Sequence, residues 1–278
     1  MAICCLPGFL QTAWAQQGQI AVPRVERMPN QPSPYDMRDW KTAAMRYDSF
    51  IYDWKKTGQH LPLISFGTTG VNYPQRETFR LHTYVGTRSP LGNEAINVLP
   101  SLVGASLAGI DKTKQFGKNW VLLAQDFFNK ANGENLYLNN ASASSGQDWW
   151  YDMMPNVFFY QLYDLYPNLG AEADWQFNTI AARMAAAVRA MGGKDAPWQV
   201  PNMNYRGWRF KTGTPNANGV PEPEAAGAFA WLLYAAWVKT GIRNISKLRS
   251  GRSNFSTNGL PTLLTNCNCP TGSSLQPA

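Results

Sequence analysis

Residues 145–156, Ser-Gly-Gln-Asp-Trp-Trp-Tyr-Asp-Met-Met-Pro-Asn, place polar and aromatic side chains at the entrance of a predicted helix. They combine the carboxylates of Asp148 and Asp152 with the amide of Gln147 and three adjacent rings. Proteins bind sugars with rings that stack on C–H faces and with carboxylates or amides that bind hydroxyls. The composition therefore indicates a carbohydrate cleft. The alternative interpretation is that Asp148 caps the helix and the rings belong to the core.

The two tryptophans of this segment are predicted to have different roles. Neighbouring residues on a helix point about 100° apart, so Trp149 and Trp150 cannot lie on one face. Trp150 precedes Met153 by three positions and Val157 by seven, which predicts that Trp150 is the core ring. Trp149 would then lie beside the carboxylates and stack on a sugar.

Two further carboxylates open the last predicted helix. Cleavage of a glycosidic bond needs one carboxylic acid to protonate the leaving oxygen and a second carboxylate as base or nucleophile. Glu222 and Glu224, in Val-Pro-Glu-Pro-Glu-Ala-Ala-Gly, are candidates together with Asp148 and Asp152. Asp148 with Glu224 is the predicted pair. Complementing the helix dipole is the alternative role of the two glutamates.

A second group of candidates lies near residue 80, where Arg76, Glu77 and His82 are predicted to bind substrate. Glu77 lies between Arg76 and Arg80, which would hold it ionised, and a structural salt bridge is the alternative role. Polysaccharide lysis would instead use a neutral His or Tyr as base, for which His82 and Tyr84 are candidates. A packed His82 is the alternative there.

One further run mixes basic and aromatic residues, and we expect it to bind substrate. It is Tyr205-Arg206-Gly-Trp208-Arg-Phe, in which Tyr205 beside Arg206 could also serve a lyase. It is the only such run outside the tail, and the residues up to Gly241 carry a net charge of only +3. We therefore expect no nucleic-acid partner.

Composition excludes several classes of function. Charged residues make up 15% of the chain, below the quarter typical of soluble domains, which favours a neutral polar ligand. The chain has no P-loop, no G-x-S-x-G elbow and no dinucleotide fingerprint. With two histidines and no cysteine between Cys5 and Cys267, neither a metal site nor another cofactor is predicted. No apolar run reaches the roughly 20 residues that span a membrane.

Both ends of the chain differ from the middle. Residues 1–15 are apolar and end in Ala-Trp-Ala, which predicts a signal peptide with a clipped basic region, followed by a linker over 16–34 and an extracytoplasmic location. After Gly241 the helical periodicity and every acidic residue disappear, which predicts a disordered or frameshifted tail over 242–278. In the neighbouring reading frame, suitable codons for residues 241–251 encode Gly-Asp-Lys-Lys-Tyr-Leu-Glu-Ala-Ala-Glu-Trp, an amphipathic helix start.

Helical periodicity dominates the domain predicted over residues 35–241. Helices are predicted over 37–57, 93–110, 117–132, 150–166, 171–191 and 222–239, with a small β-hairpin-like insertion near 62–88. Gly58 and Gly241 are the predicted C-cap glycines of the first and last helices.

An aromatic-rich helical chain with long loops that hold Gln-Asp-Trp-Trp and Pro-Glu-Pro-Glu resembles the six-hairpin (α/α)-toroid glycosidases and polysaccharide lyases. The resemblance covers about residues 35–241 and is one of architecture. It implies an all-α toroid, which is incomplete here because six helices are predicted whereas a closed toroid has twelve. It also implies an oligosaccharide or polysaccharide bound at the helix ends. It implies glycoside hydrolysis by paired carboxylates, with lysis of a uronate-containing glycan or non-catalytic glycan binding as alternatives.

Overall fold

Six α-helices dominate the computed structural model, which describes residues 39–82, 93–195, 198–199, 201–216 and 222–241. The helices are α1 (Trp40–Tyr52), α2 (Ala95–Leu107), α3 (Trp120–Ala124), α4 (Trp149–Leu165), α5 (Ala171–Ala190) and α6 (Ala225–Thr240). The predicted signal peptide, linker and tail, together with Tyr84, lie outside the described ranges.

Small antiparallel sheets accompany the helices, so the fold is helix-rich with minor β-structure. Each sheet has two strands: β1 (Ile64–Gly67) with β2 (Thr78–Leu81), β3 (Lys194–Asp195) with β4 (Trp198–Gln199), and β5 (Trp208–Arg209) with β6 (Thr214–Pro215). The first sheet is the predicted insertion. The other two were not predicted, because two-residue strands are too short to show an alternating pattern.

The third predicted helix is mostly wrong. Only Trp120–Ala124 is α-helical, followed by one turn of 3-10 helix. Beyond it, asparagine side chains hydrogen-bond the backbone: Ala131 N–H donates to Asn72 Oδ1 (2.9 Å) and Asn129 Nδ2 donates to the Phe127 carbonyl (2.9 Å). Such bonds compete with helical ones, so the chain forms an ordered loop instead.

Local capping chemistry defines two helix ends. Asp148 is the N-cap of α4, where its Oδ1 accepts from Trp150 N–H at 2.9 Å. Gly241 ends α6 with φ +66°, the left-handed conformation that glycine adopts without steric cost. Gly58 is not a helix cap, because α1 ends six residues earlier, at Tyr52.

The core lies where α2, α4, α5 and α6 pack together. α4 is anchored through Asn156, which is fully buried. Its side chain accepts from Tyr137 N–H (3.0 Å) and donates to the Tyr137 carbonyl (2.9 Å), so it pairs with the preceding loop as a strand would. This pairing holds the loop that leads to the N-terminus of α4. Within the described ranges, no helix is long and apolar enough to cross a membrane.

Candidate functional site

Three ionic side chains meet at the N-terminus of α4. Arg206 Nη2 lies 2.8 Å from Asp148 Oδ2, and Arg206 Nη1 lies 3.4 Å from Glu222 Oε1. We call this group the Arg206 cluster. The Arg206 side chain is 45% exposed, and the two carboxylates are about one-fifth exposed. Groups brought from three separate segments are therefore accessible to a ligand.

Backbone contacts fix the segment around Arg206 against α4. Trp149 N–H donates to the Arg206 carbonyl (3.1 Å), and Trp149 Nε1 donates to the Tyr205 carbonyl. Together with the Arg206–Asp148 ion pair, these bonds tie residues 205–206 to the first turn of the helix. The position of the guanidinium therefore follows from how α4 begins.

The prediction for the two tryptophans is wrong. Trp149 is buried, with its ring against Phe210 and Phe229, whereas Trp150 is 56% exposed. The buried face of α4 runs through Trp149, Asp152 and Asn156. Asp152 and Asn156 are polar. A prediction based only on apolar side chains therefore placed the buried face of the helix one residue too far along, at Trp150 instead of Trp149. Trp150 and the half-exposed Tyr151 are therefore the rings that lie free beside Asp148.

The remaining aromatic candidates near the cluster differ in exposure. Trp208 is buried and cannot stack on a ligand, so its predicted binding role is wrong. Tyr205 is half-buried, with its ring centroid 6.0 Å from that of Trp208 and its hydroxyl 3.3 Å from Asn202 Nδ2. Gln147 is exposed. The polar part of the predicted surface near the cluster is therefore retained, while two predicted sugar-binding rings, Trp149 and Trp208, belong to the core.

Glu222, rather than Glu224, is the carboxylate that shares a partner with Asp148. Glu224 is exposed, and its side chain makes no capping bond although it occupies the N-cap of α6. Burial raises the pKa of Glu222, the charges of Asp148 and Glu224 raise it further, and Arg206 opposes them. A carboxyl group of this kind retains its proton to a higher pH than an isolated glutamate.

Asp152 lies behind the cluster rather than in it. It is 3% exposed, and its Oδ2 accepts from Gly146 N–H at 2.7 Å. Burial raises the pKa of Asp152 to about 8, the Gly146 N–H opposes the shift, and the charges of Glu134 and Asp148 add to it. Its burial contradicts the predicted contact with substrate. Asp152 instead supports the loop that carries Asp148.

Glu134 and Ser145 complete this support, and neither was predicted from the sequence as a site residue. Ser145 Oγ donates to Glu134 Oε2 (2.7 Å) and accepts from Phe210 N–H (2.9 Å). The side chains of Glu134, Ser145 and Phe210 are all buried. No sequence pattern marks Glu134, because its partner is eleven residues away in a loop.

Close backbone packing explains two glycines in this region. Gly146 has φ +95°, and a Cβ there would lie 2.5 Å from Arg209 Cγ. A Cβ on Gly207 would lie 3.0 Å from the Gly146 carbonyl carbon. Gly146 therefore requires glycine, and a side chain at Gly207 would need the Gly146 backbone to move by a few tenths of an ångström, so small residues allow the loop before α4 to contact the chain that carries Arg206.

The candidates near residue 80 form a separate, structural group. Glu77 is bound by Lys118 Nζ at 2.6 and 2.8 Å, rather than by the neighbouring arginines. Arg76 donates to Gln125 Oε1 (2.7 Å) and stacks on the Tyr73 ring. His82 is buried, with Nε2 at 2.9 Å from Ser65 Oγ, so it is not placed as a solvent-facing base. None of these described contacts reaches the Arg206 cluster.

No group of three His, Cys, Asp or Glu side chains within the described part of the chain is placed to hold a metal ion. The chain matches no family model, no curated protein and no solved structure.

Proposed function

We propose that this chain is a secreted carbohydrate-active enzyme that hydrolyses glycosidic bonds, with Asp148 and Glu222 as its carboxylate pair. The sharing of Arg206 by these two carboxylates is the observation that carries the proposal. Because both partner nitrogens belong to one guanidinium, the bound oxygens stay within roughly 9.5 Å, the upper end of the separation used by glycosidases. An (α/α)-toroid arrangement of the helices is part of this proposal.

Environment divides the roles of the two carboxyl groups. Glu222 is assigned as the general acid, because burial and the charges of Asp148 and Glu224 raise its pKa and because its ion pair with Arg206 is the longer of the two, at 3.4 Å. Asp148 is the base or nucleophile, held in place by Arg206 and by the Trp150 N–H. Arg206 orients both groups. This assignment replaces Glu224 by Glu222 in the pair predicted from the sequence.

Adjacent exposed rings supply a surface for the sugar. Trp150 and Tyr151 lie two and three positions after Asp148, and they are 56% and 42% exposed. Aromatic rings with open faces pack against the C–H face of a sugar, while the nearby amide of Gln147 can bind hydroxyls. These rings also support non-catalytic glycan binding as the second candidate function, since binding needs no proton transfer.

Lysis of a uronate-containing glycan receives less support. The cluster holds two acidic side chains and one basic one, and Glu224 lies near enough to Glu222 to raise its pKa, so acidic groups outnumber Arg206 and disfavour an anionic sugar. His82, the predicted base, is buried against Ser65. Among the described residues, Tyr205 beside Arg206 is the remaining candidate base; Tyr84 lies outside them.

The test is hydrolysis of neutral polysaccharides by Asp148→Asn and Glu222→Gln, measured as release of reducing ends. These near-isosteric changes remove the proton chemistry, and we expect each to lower the rate by about 10² to 10⁴-fold. Asp164→Asn, an exposed carboxylate further along α4, is the matched control and should leave the rate unchanged.

Ligand binding separates the two candidate functions. If Asp148→Asn and Glu222→Gln bind oligosaccharide like the unaltered chain but lose hydrolysis, the pair is catalytic. If the unaltered chain binds but never hydrolyses any of the glycans, and Trp150→Ala abolishes binding, the protein is a binding module. Full hydrolysis by both carboxylate variants would refute the proposed pair.

A further inference from the structure

The exposed apolar side chains of this molecule are concentrated in two places. Among the described residues, thirteen large apolar side chains are exposed, and nine of them lie either on α1 or in one groove beside α6. Single exposed apolar residues are ordinary, but contiguous apolar surface marks a site where another element packs. Each of the two places therefore needs an occupant.

The groove lies at the C-terminal ends of α2, α4 and α6 and has a volume of about 520 Å³. Ser106 Oγ, 2.6 Å from the Tyr166 hydroxyl, joins the ends of α2 and α4, and Lys239 Nζ, 3.1 Å from Asp164 Oδ1, joins α6 to α4. We call this surface the α6 groove. Its exposed apolar side chains are Leu107, Leu165, Trp231, Tyr234 and Val238.

A second apolar face lies on the outside of α1. Side chains at helical spacing form it, and we call them the α1 stripe: Trp40, Ala43, Tyr47 and Phe50. The three rings of the stripe are between 42% and 67% exposed. A helix that is apolar on two faces is normally covered on both, and the stripe is the face that the fold leaves open.

The stripe and the groove are complementary in shape and in charge. The stripe is a ridge of rings on one helix, and the groove is an apolar hollow between helices, which is how helices pack. Lys41 and Arg46 border the stripe and are exposed. Asp164, at the groove, has a side chain that is 80% exposed. A stripe that enters the groove therefore brings basic groups to an acidic side chain.

The stripe of the same chain cannot fill the groove. The Tyr52 hydroxyl lies 2.6 Å from Ser101 Oγ of α2, and Asp48 binds the buried Lys112. These contacts fix one side of α1 against the fold, so the stripe, on the other side, faces away from it. A matching stripe is available only from another copy of the chain.

We infer that two copies of this chain associate, each inserting its α1 stripe into the α6 groove of the other. Because both contacts form together, a two-fold axis closes the pair. The rings of the stripe and the apolar side chains of the groove together expose roughly 800 Å² per copy, comparable to the area that each partner buries in a stable interface. The inference does not depend on the proposed enzymatic activity, since Asp164 lies roughly 24 Å along α4 from Asp148.

Sedimentation velocity of the full chain at micromolar concentrations tests the inference. We expect a species of twice the 31.0 kDa mass of the chain. Tyr47→Asp, in the stripe, and Tyr234→Asp, in the groove, should each raise the dissociation constant of the dimer by at least about 30-fold, because each change places a charge in both contacts of the pair. Tyr151→Asp is the matched control, similarly exposed but outside both surfaces, and should leave the dimer unchanged.

Mixing the two variants identifies which surfaces meet. Tyr47→Asp retains an intact groove and Tyr234→Asp retains an intact stripe, so an equimolar mixture can form one unaltered contact. We expect the mixture to recover a one-to-one dimer at concentrations where neither variant dimerises alone. Far-UV circular dichroism verifies that each variant is folded, and Phe50→Ser with Val238→Ser makes the same comparison if an aspartate variant does not fold.

Other arrangements give different results. If only Tyr234→Asp dissociates the dimer, two grooves pack on each other, and if only Tyr47→Asp does so, two stripes pack on each other. Either result would overturn the inference. A full chain that remains monomeric, or a dimer that both variants leave intact, would overturn it as well.

Discussion

Two ionic clusters of this molecule use similar groups in opposite environments. In the Arg206 cluster, a partly exposed guanidinium holds two carboxylates at the surface. In the second, the fully buried Lys112 binds Asp48 Oδ1 at 2.5 Å and Gln115 Oε1 at 2.7 Å, with its Nζ 3.2 Å from the centroid of the Tyr52 ring. We call this second group the Lys112 cluster.

The difference lies in what each cluster leaves available. Gln115 Nε2 also donates to Asp48 Oδ2 (2.6 Å), so the Lys112 cluster is closed on itself and joins α1 to the rest of the fold. A closed buried pair has a structural role. The Arg206 cluster keeps exposed carboxylate surface next to two open rings, as a binding site requires. Exposure, more than residue type, distinguishes the structural cluster from the candidate site.

Breaking the Lys112 cluster should have the largest effect on stability. Lys112→Met leaves the Asp48 carboxylate buried without its cation, and we expect a loss of about 3 to 5 kcal/mol in the free energy of unfolding. Urea unfolding measures it. The double variant Asp48→Asn/Lys112→Met removes the stranded charge and should recover much of the loss. A loss below about 1 kcal/mol for the single variant would mean that the pair is dispensable.

Trp149 and Trp150 test the same contrast within the candidate site. Trp149→Ala removes a buried ring and its hydrogen bond, and should cost about 3 to 5 kcal/mol. Trp150→Ala removes an exposed ring, and should change unfolding by no more than about 0.5 kcal/mol while weakening oligosaccharide binding. Urea unfolding measures the change in stability, and calorimetric titration measures oligosaccharide binding. The reversed result would mean that Trp150, and not Trp149, is the buried ring.

The contributions of the two regions to folding stability should also change with pH in opposite directions. The pKa of Asp152 rises from 3.8 to about 8 on folding, so its contribution is fully present below pH 3.8 and is lost as pH rises through about 8. Burial lowers the pKa of Lys112 from 10.5 to about 8, so its contribution is present above pH 10.5 and is lost as pH falls through about 8.

Urea midpoints measured from pH 4 to pH 10 check both signs. Asp152→Asn retains an oxygen for the Gly146 N–H, and it should remove the decline in stability between pH 4 and pH 8. Lys112→Met should remove the rise above pH 8. If Asp152→Asn leaves the decline in stability between pH 4 and pH 8 unchanged, another group titrates in that range.

Arg206→Met should have the smallest effect on stability. The guanidinium is 45% exposed, so solvent screens both of its ion pairs, and we expect the free energy of unfolding to change by less than about 1 kcal/mol. Hydrolysis, in contrast, should fall, because neither carboxylate is then oriented. A stability loss as large as that of Lys112→Met would make the Arg206 cluster a structural cluster too.

Local sequence was sufficient for most helix positions and for two of their ends. Apolar periodicity predicted four helices to within three residues at each end, because each buries one face against a neighbour, and it predicted α1 with its C-terminus five residues too late. Asp148 and Gly241 were identifiable as caps because capping depends only on the adjacent turn. The third helix failed because Asn72, far away in the chain, binds the backbone at Ala131.

The candidate site was only half predictable for the same reason. Asp148, Arg206 and Glu222 were each identified from their local composition, but their pairing was not, since Asp148 and Arg206 are separated by 58 positions. The tertiary structure also decided which tryptophan is buried. It did so by burying Asp152 and Asn156, two polar residues that an apolar pattern omits. Periodicity and capping are properties of a few consecutive residues, whereas burial and ion pairing depend on which distant segments meet.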